Sequence, residues 1–166
     1  MDDLVTERLV LHPFTVAEAE RLVERGPAPD GGYPMDMDIA GARRYLDVCA
    51  AAGDPQPFGA YEIRLRDGGR AIGGAGFHAA PDAHGTVTVG YDLVAAARGH
   101  GYAAEALRGL LRFARERGVA SVKGDTDRGN LASQHVMSAA GMRPVAEDDA
   151  RKYYEITWPA TAPASG

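Results

Sequence analysis

Residues 94–105 read Val94-Ala95-Ala96-Ala97-Arg98-Gly99-His100-Gly101-Tyr102-Ala103-Ala104-Glu105: the end of a strand, a loop holding two glycines, and the start of an amphipathic helix. That combination suits a bound pyrophosphate. Glycine lets a loop turn its N–H groups toward a ligand at close range. A helix start adds unpaired N–H donors and the positive end of the helix dipole, worth about 0.3–1 kcal/mol per nearby negative charge. Arg98 adds a fixed cation at the mouth. The loop is not a dinucleotide-binding fingerprint, because the third glycine is missing and a β-meander precedes it. It is not a P-loop either, because no Gly-Lys-Ser/Thr follows. The alternative is that the two glycines serve only tight packing at a strand-to-helix turn.

The elements around this loop follow from periodicity. Thr6 to His12 reads as a first strand, with Leu9 and Leu11 on one face. Thr15-Val16-Ala17-Glu18 is a capping box that opens a helix with Val16, Ala19, Leu22 and Val23 as its buried stripe. The Pro- and Gly-rich stretch 26–32 ends it. A second helix starts near Asp38, carries Ile39, Ala42, Leu46, Cys49 and Ala50 at helical spacing, and stops at Gly53-Asp54-Pro55. Three strands follow: 58–65, 71–78 after the hairpin signal Asp67-Gly68-Gly69, and 86–94. From Gly101 to Gly118 the set Leu107, Leu110, Leu111 and Ala114 marks a helix. A strand over 119–125, a helix from Asn130 to Gly141, and strands near 142–146 and 152–158 complete the order. Strand 86–94, the following helix and strand 119–125 form a βαβ unit, so these two strands are expected to be parallel.

With 166 residues and 17.5 kDa the chain suits one domain. Acidic residues outnumber basic ones, 23 to 18, for a net charge of −5 and a pI near 5.5. That balance argues against nucleic acid or an anionic membrane surface as a partner and leaves room for cationic amines. The single cysteine, Cys49, rules out an internal disulfide and a thiolate metal cluster, and no metal is expected. Met1-Asp2-Asp3-Leu4 lacks an apolar signal region, and no apolar run reaches the length of a membrane span. The expectation is a cytoplasmic single domain over residues 1–158, with Pro159 to Gly166 as a disordered tail.

Four stretches stand in an order met in one known family: Thr6-Glu7-Arg8-Leu9-Val10-Leu11; Gly90-Tyr91; Arg98 with Gly101 and Ala103; and Asn130-Leu131-Ala132-Ser133. Gly141-Met142 stands where a closing Gly-Phe is usual. On these residues the chain resembles the GCN5-related N-acetyltransferase (GNAT) family, particularly the branch related to ribosomal-protein alanine and serine N-acetyltransferases. The resemblance covers residues 6 to 158. It implies a mixed α/β (α+β) GNAT fold: a single twisted mixed sheet of about seven strands with four helices, its parallel fourth and fifth strands splayed apart. It implies acetyl-CoA as co-substrate, with pantetheine paired to the backbone of Leu93 and Val94. Arg98, Gly99, His100, Gly101, Tyr102 and Ala103 would hold the pyrophosphate, with Asn130 and Ser133 facing the cofactor. For Asn130 and Ser133 the alternative is an N-cap and a first-turn hydroxyl. A homodimer is expected by analogy with relatives that pair through a strand edge.

The implied activity is direct transfer of an acetyl group, in a ternary complex, to a primary amine of a small molecule or a peptide N-terminus. The alternative is a non-catalytic acyl-CoA sensor. Transfer needs a base, because stripping a lysine-like ammonium at pH 7 costs about 4–5 kcal/mol. It needs an N–H donor from the fourth strand for the thioester oxygen and a proton for the leaving thiolate. The family's usual base position, two residues before Gly90-Tyr91, holds Thr88, and its usual acid position holds Met137; neither does that chemistry. Asp92, on the same strand face as Thr88, and Ser133 are therefore the catalytic candidates, as base and as donor to sulfur. The alternative for Asp92 is a solvated strand-end carboxylate. His78 and His84 flank a turn, and one is a candidate proton carrier. Cys49 is read as core, and Glu147-Asp148-Asp149 as a solvated turn. Of Tyr153 and Tyr154, one is read as core and one as lining the acceptor groove. Tyr33, Met35 and Met37 are expected to form an apolar lip to that groove.

Overall fold

Leu9, Leu11, Tyr61 and Ile63 alternate along neighbouring strands and are almost wholly buried, and they anchor the sheet against the helix that carries Leu107 and Leu110. Each such leucine or isoleucine contributes about 1.5–3 kcal/mol by leaving water. The computed structural model describes residues 2–159, so all but the first residue of the expected tail lies outside the described residues. In chain order the elements are β1 (Leu4–Val5), β2 (Leu9–Pro13), α1 (Val16–Arg25), α2 (Asp36–Ala52), β3 (Ala60–Leu65), β4 (Ala71–Phe77), β5 (Thr86–Leu93), α3 (Tyr102–Glu116), β6 (Ser121–Asp127), α4 (Leu131–Ala139), β7 (Arg143–Glu147) and β8 (Arg151–Thr157). A single 3-10 turn over Ala95–Ala97 follows β5.

One eight-stranded sheet runs β1-β2-β3-β4-β5-β6-β8-β7, antiparallel except for the parallel β5–β6 pair. This is the expected α/β architecture with four helices, and it has one strand more than expected. The reason lies at Thr6. Its N–H and hydroxyl both bond the Leu9 carbonyl, which makes a tight turn inside the expected first strand. The chain therefore doubles back, and Leu4 pairs with Leu11. α2 also begins two residues early, at Asp36, because Asp38 at its third position reaches back to accept the Met35 N–H at 2.8 Å. Its most buried aromatic is Tyr45, with Leu46 and Cys49 only half-buried.

α1 and α2 cover one face of the sheet around Phe14, Leu22, Ile39 and Tyr45. α3 lies on the other face, with α4 beside it against β6. The pairing of β5 with β6 stops early. It covers Thr86↔Ser121, Val87↔Val122 and Thr88↔Lys123, whereas β5 stays paired with β4 as far as Leu93 and β6 with β8 as far as Asp127. Beyond Thr88 the two parallel strands part, leaving a slot between residues 89–93 and 124–127. The Thr88 carbonyl accepts the His78 N–H and Val94 gives its N–H to the Ile72 carbonyl, both on the β4 side. Backbone groups alternate along a strand, so the N–H and C=O groups of Val89, Tyr91 and Leu93 face the slot.

Candidate active site

A cavity of about 460 Å³ passes through the sheet at this slot. On the α2 face it is lined by Tyr33, Asp38, Gly74, His78 and Asp92, and toward α4 by Tyr91, Asn130 and Ser133. Its geometry on the α2 face comes from strand register. His12 pairs with Glu62, Glu62 with Gly74 and Gly74 with Asp92, a row of charged residues interrupted by one residue without a side chain. Asp38 descends from α2 into that gap: a Cβ on Gly74 would stand 2.7 Å from its Oδ1 and 3.4 Å from Asp92 Oδ1. The glycine therefore makes room for two carboxyls to meet. A glycine inside a strand is the sequence sign of such a close approach, and it is the one signal that could have found Asp38 in advance.

Asp92 is half-buried at the cavity, with Oδ2 screened from solvent and without a partner, and is not the solvated strand-end carboxylate of the alternative reading. Burial, then the neighbouring Asp38 carboxyl, pushes its pKa up to about 8. Burial raises Asp38 as well, against the Met35 N–H that favours its charge. The two carboxyls are within hydrogen-bonding reach, and Asp92 is the one that holds a proton toward Asp38. Burial, with Glu62, Asp38 and Asp92 close by, drives the Tyr33 phenol far above its ordinary value. His78 lines the same wall. Burial and Arg44 lower its pKa, and its Nε2 would lie 3.1 Å from a Cβ on Gly90. His84 is exposed on the loop before β5 and does not line the cavity.

In the loop before α3, Gly99 and Gly101 both have left-handed φ, +84° and +80°. A Cβ on Gly99 would meet nothing within 4 Å, and one on Gly101 would lie 3.3 Å from Arg8 Nη2. The first helical bond of α3 runs from the Glu105 N–H to the Gly101 carbonyl, so the amides of Tyr102, Ala103 and Ala104 precede the helical ladder. A carboxylate in this first turn would oppose an anion, and Glu105 is neutralised. Its oxygens accept the Thr6 hydroxyl, the Arg8 N–H and Arg8 Nε, the last two at 2.7 Å. Arg8 also donates to the His100 carbonyl at 2.8 Å and lies over the Tyr102 ring. The His100 side chain is exposed. Arg98 Nε donates to the Leu93 carbonyl at 3.2 Å, which holds its guanidinium at the slot mouth. Loop, amides and cations together fit a pyrophosphate. Val94 differs from expectation. It gives its N–H to Ile72 and accepts from Ala97, so its backbone is committed inside the fold, and Leu93 and Tyr91 are the residues that present backbone to the slot.

Asn130 caps α4 by accepting the Ser133 N–H at 3.0 Å, and both residues line the cavity. The Ser133 hydroxyl lies 2.8 Å from the Tyr91 hydroxyl, which also reaches the Ser133 carbonyl at 3.1 Å. If Tyr91 donates to Ser133 Oγ, the serine proton is free to point into the slot. Met137 is 2% exposed beside Gly124 and lines the cavity with a thioether that has no proton to give. Tyr154 is buried as one of the two expected options. Tyr153 instead donates to Asp148 in the turn before β8, and Arg151 lines the cavity from that strand. Asp148 is tied to the Ala150 and Arg151 N–H groups. Of the expected lip, Tyr33 and Met37 line the cavity, while Met35 packs on the core. Sequence reasoning missed Arg8 as a brace, Tyr33, Asp38 and Gly74 as a cluster, and Tyr91 as the partner of Ser133.

A family model described as an acetyltransferase (GNAT) domain matches residues 8–143. No curated protein matches the chain. Among solved structures the chain is similar to an acetyltransferase from Agrobacterium tumefaciens, at 24% identity over 95% of each chain with a TM-score of 0.68. It is similar to RimL, a ribosomal L7/L12 alpha-N-protein acetyltransferase in complex with coenzyme A, at 14% identity over 94% of this chain and 98% of that one, TM-score 0.69. It is also similar to the ribosomal-protein-S5-alanine acetyltransferase from Vibrio fischeri, at 10% identity over 95% and 97%, TM-score 0.68. These likenesses show the fold, and the splayed slot with its glycine loop sits inside the span of the family match. The protein belongs to the GNAT acetyltransferase family.

Proposed function

We propose that the protein moves the acetyl group of acetyl-CoA onto a primary amine of a small molecule or a peptide N-terminus, with both substrates bound at once. The observation that carries this reading is Asp92: a half-buried carboxyl with a pKa near 8, standing where the slot opens onto the α2 face. A base for an ammonium works best when its pKa lies near the operating pH.

Acetyl-CoA, when bound, supplies an acetyl thioester; the chain's residues do the rest. Gly99, Gly101 and the first amides of α3, with Arg98 beside them, hold the pyrophosphate. The slot-facing N–H of Tyr91 or Leu93 stabilises the thioester oxygen as it gains charge. Asp92 takes a proton from the acceptor nitrogen, directly or through water. Ser133, backed by Tyr91, gives a proton to the departing sulfur. The cavity is lined both from the α2 face and from α4, which supports two substrates meeting at the slot and direct transfer without an acyl-enzyme. RimL bound to coenzyme A is a precedent for the cofactor in this fold, and its peptide-directed activity is one of the acceptor classes proposed here.

The test follows free thiol release from acetyl-CoA across a panel of amines, aminoglycosides and short peptides. The expected result is release that depends on one acceptor class, with the acetylated nitrogen identified by mass spectrometry. Tight acetyl-CoA binding with no release against any acceptor would overturn the enzyme reading in favour of an acyl-CoA sensor.

A further inference from the structure

Among the described residues, three buried side-chain polar atoms lack a hydrogen-bond partner: the Tyr33 hydroxyl, Asp38 Oδ1 and Asp92 Oδ2. All three residues line the same cavity. Asp38 is only 7% exposed and enters from α2 through the gap left by Gly74. Buried polar groups without partners are rare in native folds, and each calls for a cause. A shared proton satisfies the two carboxyl oxygens and leaves the Tyr33 phenol oxygen without a donor, while the phenol proton faces Glu62. One group donates to all three oxygens at once. A primary ammonium carries three N–H donors and a positive charge on a single atom. A quaternary ammonium carries no donor, and a guanidinium spreads its donors over a plane that suits a two-oxygen fork.

We propose that Tyr33, Asp38 and Asp92 form a three-acceptor cradle that selects a primary ammonium on the acceptor, with Asp38 and Tyr33 positioning it for Asp92. This rests on the acetyl-transfer reading and names the group that the acceptor must present. The charged surroundings fit. Glu62 faces the cradle from β3 but is tied to Arg64 at 2.7 Å, and Arg98 is near enough to Asp92 to favour its charge. Neither supplies a cation inside the cradle itself.

The proton count closes. The entering ammonium displaces the shared proton to solvent. Asp92 first takes one proton from the ammonium and passes it to water, which frees the lone pair that attacks. As the N–C bond forms and the C–S bond breaks, nitrogen gives up a second proton to water at the cavity mouth. Ser133 protonates the thiolate and is reprotonated from water through Tyr91, so one proton leaves per acetyl group moved. The carboxyl pair regains its shared proton when product departs.

The test uses the full chain loaded with coenzyme A and titrates it calorimetrically with n-butylammonium and with n-butyltrimethylammonium, in two buffers of different ionisation heat. n-Butylammonium is expected to bind with release of about one proton per site, and the trimethyl analogue about tenfold more weakly. Asp38→Asn keeps an oxygen for the Met35 N–H. It is expected to weaken n-butylammonium about tenfold and abolish proton release, while coenzyme A binding is retained. Gly74→Ala, which fills the gap without changing any charge, should weaken it too, and circular dichroism checks that both variants fold. Equal binding of the two cations by the unmodified protein, no binding of n-butylammonium, or unchanged affinity in a folded Asp38→Asn variant overturns the cradle. Thiol release with amine or peptide acceptors separates the two readings. Turnover without this selectivity rejects the cradle alone, and selective binding without any turnover rejects acetyl transfer alone.

Discussion

Arg8 and Glu105 lie 97 residues apart in the chain and meet at 2.7 Å, joining the turn before β2 to the first turn of α3. Burial works against the charge on Glu105, but Thr6 and Arg8 outweigh it and hold the carboxyl below its ordinary range. The same guanidinium fastens the His100 carbonyl and covers Tyr102. The Thr6-Glu7-Arg8 stretch therefore braces the glycine loop before α3 from outside and cancels the negative charge of Glu105 beside the helix start.

Arg8→Ala should accordingly loosen the loop more than the fold. The Arg8 side chain is 43% exposed, so the ion pair contributes about 1 kcal/mol or less to stability after solvent screening. Coenzyme A affinity should fall about tenfold, since a charged hydrogen bond to the loop and the neutralisation of Glu105 are lost together. Thermal unfolding and calorimetric titration of the same sample separate the two effects. A large loss of stability with affinity unchanged would show Arg8 to be a fold residue only.

Gly101→Asp puts a β-carbon on a residue whose φ is +80°, beside Arg8, and a negative charge among the amides proposed to hold the pyrophosphate. Strain of about 1–2 kcal/mol is expected from the left-handed backbone alone. Coenzyme A affinity should drop by about a hundredfold in a variant that remains folded. Gly99→Ala shares the backbone strain but adds no charge and meets no neighbour, so it should lose far less. Equal losses in the two variants would attribute the effect to backbone strain.

The pH response of Asp92 has a definite sign. Its pKa rises from 3.8 when unfolded to about 8 when folded, so the folded protein holds the extra proton between these values. Stability is then greatest at low pH and declines as pH climbs from about 4 to about 8, because the unfolded chain releases that proton earlier. Asp92→Asn removes the effect and should melt higher than the unmodified protein at pH 8, with the gap closing near pH 4. Activity runs the other way. kcat/KM should rise toward pH 8 in the unmodified protein and be about a hundredfold lower and nearly flat in Asp92→Asn. Parallel melting curves at both pH values would show that Asp92 carries no such shift.

Most of the fold was legible because its elements carry local marks. The Thr15–Glu18 capping box is present with both of its bonds, Gly68 and Gly69 turn the hairpin with positive φ, and the leucines of α3 fall on its buried face. The added β1 was not, because it depends on Thr6 bonding Leu9, a contact that no periodicity shows. Met137 illustrates another limit. Its type revealed that the usual acid was missing, but not that the thioether lies buried in the cavity wall beside Gly124. The Asp38–Asp92 meeting joins positions 54 residues apart in sequence through a strand register, and only the bare glycine at 74 hints at it. Tyr91 was read as half of a motif, whereas its hydroxyl is the partner that backs Ser133 as the proposed donor.

That last contact separates chemistry from binding. Tyr91 sits in a cavity wall with its hydroxyl 2.8 Å from Ser133 Oγ, and burial raises the pKa of the phenol against the Ser133 hydrogen bond. Tyr91→Phe leaves the ring's packing and removes only the proton path. It should lower kcat about tenfold with the KM for acetyl-CoA unchanged. Ser133→Ala should do the same, and the double variant should cost little more than either alone, because the two hydroxyls act as one unit. Two full, independent losses in the double variant would mean that the hydroxyls act separately, and a raised KM in either single variant would place that residue in cofactor binding.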